Sequence, residues 1–150
     1  DRMQVTIDVE DIVSVNGRTK FEDMNCEECL EGMASHARHN GVIVDGLRRL
    51  SHLTNQDPST SNIVLSDKWM RSVLLPNLER YNQDARVQTF TFCIIGTCLR
   101  SFNWKLNLDE MYQDWDVLSK AIIVILSRFQ HAISVHVYGI YLLSGVSLVP

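Results

Sequence analysis

The 150-residue sequence predicts an all-α fold, an α-solenoid of about three repeats, and three observations predict it. Related segments recur at an offset near 48 residues. Within each segment the apolar residues step by three and four, which places them on one helical face. Short polar links, SHARHN, YNQDAR and FQHAIS, join the segments in pairs. Composition agrees: with 45% hydrophobic and 21% charged residues, the chain suits one globular domain with a sizeable core.

Residues 1–20 are ambiguous. MQVTIDVE alternates apolar and polar positions, a strand signal, and Asn16-Gly17 is a hairpin-turn dipeptide. Val5, Val9, Ile12 and Val13 also satisfy a helical face, with Asn16-Gly17 as its stop, and an all-α neighbourhood favours that helix. The segment reads as the end of a preceding repeat, with the repeat domain spanning 21–150 as a fragment of a longer solenoid.

The stretch CEECLEGMASHARH comes next. Its Cys26, Cys29, His36 and His39 are zinc-binding residue types. Only LEGMAS separates the two pairs, and in a helix Cys29 and His36 stand roughly 10 Å apart along the axis. The spacing therefore favours a core stripe of Cys29, Leu30, Met33 and Ala34, with Ser35 to Asn40 as the inter-helix link. Glu22, Asp23, Glu27 and Glu28 suit a helix start.

SDKWMRSVLLPNLERY has Ser66 as a candidate N-cap and Trp69, Met70, Val73, Leu74, Leu78 and Tyr81 on one face. Pro76 predicts a stop or kink near Leu75, and so two helices. In NLDEMYQDWDVLSKAIIVILSRF the pattern predicts a short helix from Asp109 to Trp115 and a longer one capped by Asp116. At an offset of 48, Val87 aligns with Val135, Ile95 with Leu143 and Cys98 with Val146; a further step of 48 brings Leu47 and Leu50 under Ile95 and Cys98. Trp69, Trp104 and Trp115 are expected to pack between repeats, and Cys93 and Cys98 to be small core residues rather than a redox pair.

This unit resembles the armadillo and HEAT repeats. The closest piece is LLPNLERYNQDARVQTFTFCIIGTCL: an apolar helix, a polar link with Asp84, then Val87-Gln88 opening the last helix. Thr91 and Gly139 match the family's small residue one turn into that helix, and Ile43 does not. The resemblance implies a right-handed superhelix whose last helices line a concave groove. It maps the family's peptide-holding position onto Arg49, Thr97 and Gly145, and the companion position onto Asp45, Cys93 and Tyr141. No Asn or Trp stands at these positions, so the resemblance does not imply recognition of basic import signals. The groove ligand is then expected to be a protein or peptide of another kind, and Arg48 and Arg49 suggest one with an acidic portion; the expected partner-binding set is Asp45, Arg48, Arg49, Thr97, Arg100 and Tyr141.

A formal charge of −4 supplies no electrostatic attraction to nucleic acid or to an anionic membrane. No P-loop, GxGxxG, HExxH, GxSxG or EF-hand pattern occurs, so neither a catalytic residue nor a cofactor is expected. Gln130 to Pro150 lacks formal charge, but its two histidines and polar residues favour a buried helix over a membrane span. Four free thiols suit a reducing compartment, the cytoplasm or the nucleus. The expected function is a non-enzymatic protein-interaction scaffold. The alternatives are a structural or regulatory part of a larger enzyme, such as a ubiquitin ligase or kinase, and a small zinc-stabilised helical domain. YLLSGVSLVP is apolar on too many sides for a capping helix, so a further repeat is expected beyond residue 150.

Overall fold

Asn25 and Glu28 cap each other at the start of helix α1 (Cys26–Ser35). The Asn25 side chain accepts from the Glu28 backbone N–H at 2.9 Å, and the Glu28 carboxylate accepts from the Asn25 N–H at 3.1 Å. This reciprocal arrangement satisfies two of the orphan donors at a helix start. The computed structural model describes residues 20–102 and 110–150. The helix-or-strand question for residues 1–20 falls mostly on 1–19, and Trp104 on 103–109; both lie outside the described residues.

After a link around His36 to His39 comes α2 (Asn40–Gln56). A 3-10 turn (Pro58–Thr60) leads into the short α3 (Ser61–Val64). Helix α4 then runs continuously through Asp67–Trp69, a π stretch Met70–Leu74 and Leu75–Arg80. It is followed by α5 (Ala85–Ser101), α6 (Trp115–Arg128) and α7 (Ile133–Val146). The described residues are thus all helical apart from links and one isolated antiparallel bridge, Ser66 to Met111.

Several expectations need correction. Pro76 does not split α4 into two helices. The ladder loosens just ahead of it, where the Leu75 N–H bonds the Met70 carbonyl, and Pro76 sits at the start of the last stretch, where its missing N–H is tolerated. Glu110 to Asp114 is not helical, and Met111 bridges to Ser66: the Asp67 N–H donates to the Glu110 carbonyl at 2.8 Å and the Tyr112 N–H to that of Leu65 at 2.9 Å. This pairing buries Met111 and Tyr112, and α6 starts at Trp115 rather than after an Asp116 cap. Ala34 is exposed, whereas Cys29, Leu30 and Met33 are buried as expected. Among the described residues no helix is long and apolar enough to cross a membrane.

Each pair closes on itself: α1 on α2, α4 on α5, α6 on α7. Helix α5 also packs against α2 on one side and α7 on the other. One core cluster runs through all of them, from Phe21 to Leu142. The three long helices begin at Asn40, Ala85 and Ile133, so the intervals are 45 and 48 residues. The first interval is therefore three shorter than the sequence alignment. With the helix starts superposed, Val42, Val87 and Val135 fall together and are all buried. Leu47 falls on Phe92 and Leu50 on Ile95, all of them fully buried. A slip of three residues is nearly one helical turn, so an apolar i, i+3 pair matches itself in either register.

The corrected register also fills the gap in the small-residue row. Gly46, not Ile43, stands with Thr91 and Gly139, and all three are buried. A Cβ on Gly46 would collide with Met33 Cγ of α1, and one on Gly139 would meet Leu126 Cδ2 of α6 at 2.6 Å. In both pairs the helices approach so closely that there is no room for a side chain.

Candidate functional site

The half-exposed strip of α2, α5 and α7 holds the residues expected to bind a partner, and the structure brings them together in two groups. On α2, Arg48 and Asp45 are one turn apart, with Nη1 3.4 Å from Oδ1. The Arg48 guanidinium also lies 5.9 Å from the ring centroid of Phe90 on α5. Its side chain is 64% exposed, so the contact with Asp45 leaves most of its donors facing water.

The second group joins α5 to α7. The Thr97 and Tyr141 hydroxyls are 3.2 Å apart. Arg100 stacks on the Tyr141 ring, with its guanidinium carbon 3.6 Å from the centroid. It donates to the Gly96 carbonyl at 2.9 Å, to the Tyr141 carbonyl at 2.8 Å, and to the Ser144 hydroxyl. Tyr141 can lie this close because Gly96 is bare; a Cβ there would meet the ring at 2.6 Å.

Arg49 belongs to neither group. Its Nε and Nη2 both donate to the Met24 carbonyl, at 3.2 and 3.1 Å, which ties α2 to the chain ahead of α1. In the corrected register the equivalent of Thr97 and Gly145 on α2 is His52 rather than Arg49, and the equivalent of Cys93 and Tyr141 is Arg48 rather than Asp45. Sequence reasoning did not select Phe90, Gly96 or Ser144. A glycine inside TFCIIGTCLR was the available signal, since an interior helical glycine marks a close approach.

The links form a second polar surface. The Tyr81 hydroxyl and Arg80 both donate to the Ala37 carbonyl, at 2.5 and 3.3 Å. Arg128, 48 residues after Arg80, donates to the Asn82 carbonyl at 3.4 Å. Asp84 caps α5 through the Arg86 and Val87 N–H groups and accepts from Asn40 at 2.7 Å. Burial works against its charge, but the hydrogen bonds from Arg86, Asn40 and the backbone prevail and hold the carboxyl below the usual carboxylate range. An open cleft of 530 Å³ lies beside it, lined by Asn40, Arg80, Asn82 and Arg86.

Two residues of the zinc reading bond backbone carbonyls instead. The Cys29 thiol donates to the Gly46 carbonyl at 3.1 Å, and His36 Nδ1 lies 3.0 Å from the Gly32 carbonyl. Burial pushes the Cys29 thiol up to about 12 and that of Cys26 up to about 11, which disfavours the thiolate that zinc requires. Among the described residues no group of three or more His, Cys, Asp or Glu is placed to hold a metal ion. All four cysteines are free thiols.

Chemically, the strip offers an exposed guanidinium beside a half-buried ring, then paired hydroxyls around a stacked arginine. Such a surface suits hydrogen bonding to a peptide and pairing with a carboxylate. No protein-family model matches the chain, and neither a curated protein nor a solved structure matches it.

Proposed function

We propose that this chain is a non-enzymatic protein-interaction scaffold, an armadillo/HEAT-type α-solenoid that takes a peptide or protein partner along the strip of α2, α5 and α7. The observation that carries the reading is the position of α5 between α2 and α7, which sets three helices of successive pairs side by side. Stacked pairs of this kind present extended surfaces, because each pair buries its apolar face on its neighbours. Arg48 is the group best placed for an acidic residue of the partner, since Arg49 is held by Met24 and Arg100 by Tyr141. The cytoplasm or the nucleus suits a chain with four free thiols.

A photo-crosslinking residue at Thr97, compared with one at exposed Ser127 on α6, tests this in cells. The expected result is a protein adduct specific to the Thr97 position, reduced about fivefold by Arg48→Glu, the size of an exposed charge contact of roughly 1 kcal/mol. Equal adducts from both positions, indifferent to Arg48→Glu, would remove the reading.

A further inference from the structure

Helix α5 is almost wholly enclosed. Between Val87 and Leu99, the residues that reach solvent are Thr89, Phe90, Cys93 and Thr97, a line without charge. The corrected register extends this line to both sides. Asp45, Phe90 and Tyr138 stand at equivalent positions of α2, α5 and α7, and so do Arg48, Cys93 and Tyr141.

The two flanks differ in chemistry. On α2 stands exposed Arg48, whose guanidinium leans toward the Phe90 ring. On α7 stand two half-buried rings, Tyr138 edge-on to Tyr141 with centroids 6.2 Å apart. Thr97 and Tyr141 share one hydrogen bond between two hydroxyls, so one hydroxyl proton is left to donate outward. The strip therefore runs from a cation, past a ring and a hydroxyl donor, to a pair of rings.

Spacing chooses the conformation of the ligand. Packed helices stand roughly 8 to 10 Å apart, so the rows repeat at about that step. A polyproline II helix rises about 3.1 Å per residue with three residues per turn, and so repeats about every 9.3 Å. A β-strand shows the same face about every 6.7 Å and an α-helix about every 5.4 Å, so neither keeps step with the rows. Polyproline II makes no internal hydrogen bonds, which leaves its carbonyls to accept from hydroxyls, and its prolines dock on aromatic rings.

We infer that the strip takes a proline-rich peptide in the polyproline II conformation, with an acidic residue at Arg48 and prolines about three and about six residues away, at Phe90 and at Tyr138 beside Tyr141. The inference rests on the partner-binding reading and narrows its ligand to one chemical class.

Fluorescence anisotropy of the full chain with end-blocked synthetic peptides decides it. The probes are an aspartate followed by a run of prolines, the same run headed by lysine, and an aspartate followed by alternating glycine and serine. The expected result is saturable binding of the aspartate–proline peptide, weakened about fivefold by the lysine head. Arg48→Glu should reverse that preference, and Tyr138→Ala should weaken binding about tenfold or more. The flexible glycine–serine peptide should bind about tenfold more weakly, because it must be ordered on binding. Circular dichroism checks that the variants stay helical, and the charge reversal at exposed Arg48 decides the matter if Tyr138→Ala does not fold. No saturation by the aspartate–proline peptide, equal affinity for the glycine–serine peptide, or binding indifferent to both variants overturns the inference. A Thr97 cross-link that the proline peptide fails to compete away keeps the strip and removes this ligand. Absence of the cross-link together with no peptide binding removes both.

Discussion

In the pair α1–α2, Met33 lies over Gly46; in the pair α6–α7, Leu126 lies over Gly139. The two pairs close by the same device, a bare backbone under a long side chain, and they carry it at equivalent positions. Their outer faces differ. The α2 positions Val44 and Leu47 are buried, whereas the matching α7 positions Val137 and Ile140 are exposed. Both sets are apolar, so local sequence does not set the difference. The neighbour sets it: α2 has α5 beside it, and among the described residues no further helix stands beyond α7. An apolar helical face is a request for burial, and only the next element can satisfy it.

The largest effect that separates the two situations comes from truncating one row of the register. Phe92→Ala should cost about 3 to 5 kcal/mol, because a fully buried ring leaves a cavity. Ile140→Ala, at the equivalent position, should cost roughly 0.5 kcal/mol or less. Urea denaturation of both variants checks this, and similar losses would show that the register is wrong.

Alkaline pH tests chemistry that the front of the molecule carries and the last pair lacks. Burial pushes Cys26 up to about 11, and Cys29 and Cys98 up to about 12, from an ordinary 9.0. Unfolded thiols ionise above 9 while the folded ones keep their protons. Their contribution to stability is therefore complete below pH 9 and lost as pH rises toward 11 to 12, by up to ~1.4 kcal/mol per pH unit per thiol. Denaturation midpoints should fall above pH 9 in the wild type, and fall less steeply in Cys98→Ala. Parallel slopes would refute the assignment.

Two glycines give effects of opposite sign. Gly46→Ala should destabilise by about 1 to 3 kcal/mol, since its Cβ would strike Met33 near the base of its side chain. Gly41→Ala, five residues earlier on the same helix with nothing within 4 Å of the new Cβ, should stabilise by about 0.4 to 1 kcal/mol. Thermal melts of the two variants should shift in opposite directions.

The helices and their links were legible because helical periodicity is local: Cys29, Leu30 and Met33 lie on one stripe, and Ser66 caps where the sequence placed a cap. The spacing between the first two long helices was not legible. Leu47 and Leu50 match either Ile95 and Cys98 or Phe92 and Ile95, and only packing chooses. Pro76 read as a break because sequence shows the lost N–H and not the π stretch that absorbs it. Glu110 to Tyr112 read as helical because the backbone it pairs with, around Ser66, lies more than forty residues away in sequence.

The candidate strip divides in the same way. Asp45 and Arg48 were readable as neighbours from their spacing, and Arg100 and Tyr141 as charged and aromatic groups on long helices. That Arg100 stacks on Tyr141 above a bare Gly96, and that Arg49 turns back to Met24, depends on residues 25 or more positions apart. The amino-acid sequence alone determined which segments are helical and which side of each is apolar, because those properties are settled within a few turns of backbone. The tertiary structure alone decided which apolar sides are covered and which arginines stay exposed, because burial depends on distant chain arriving at a surface.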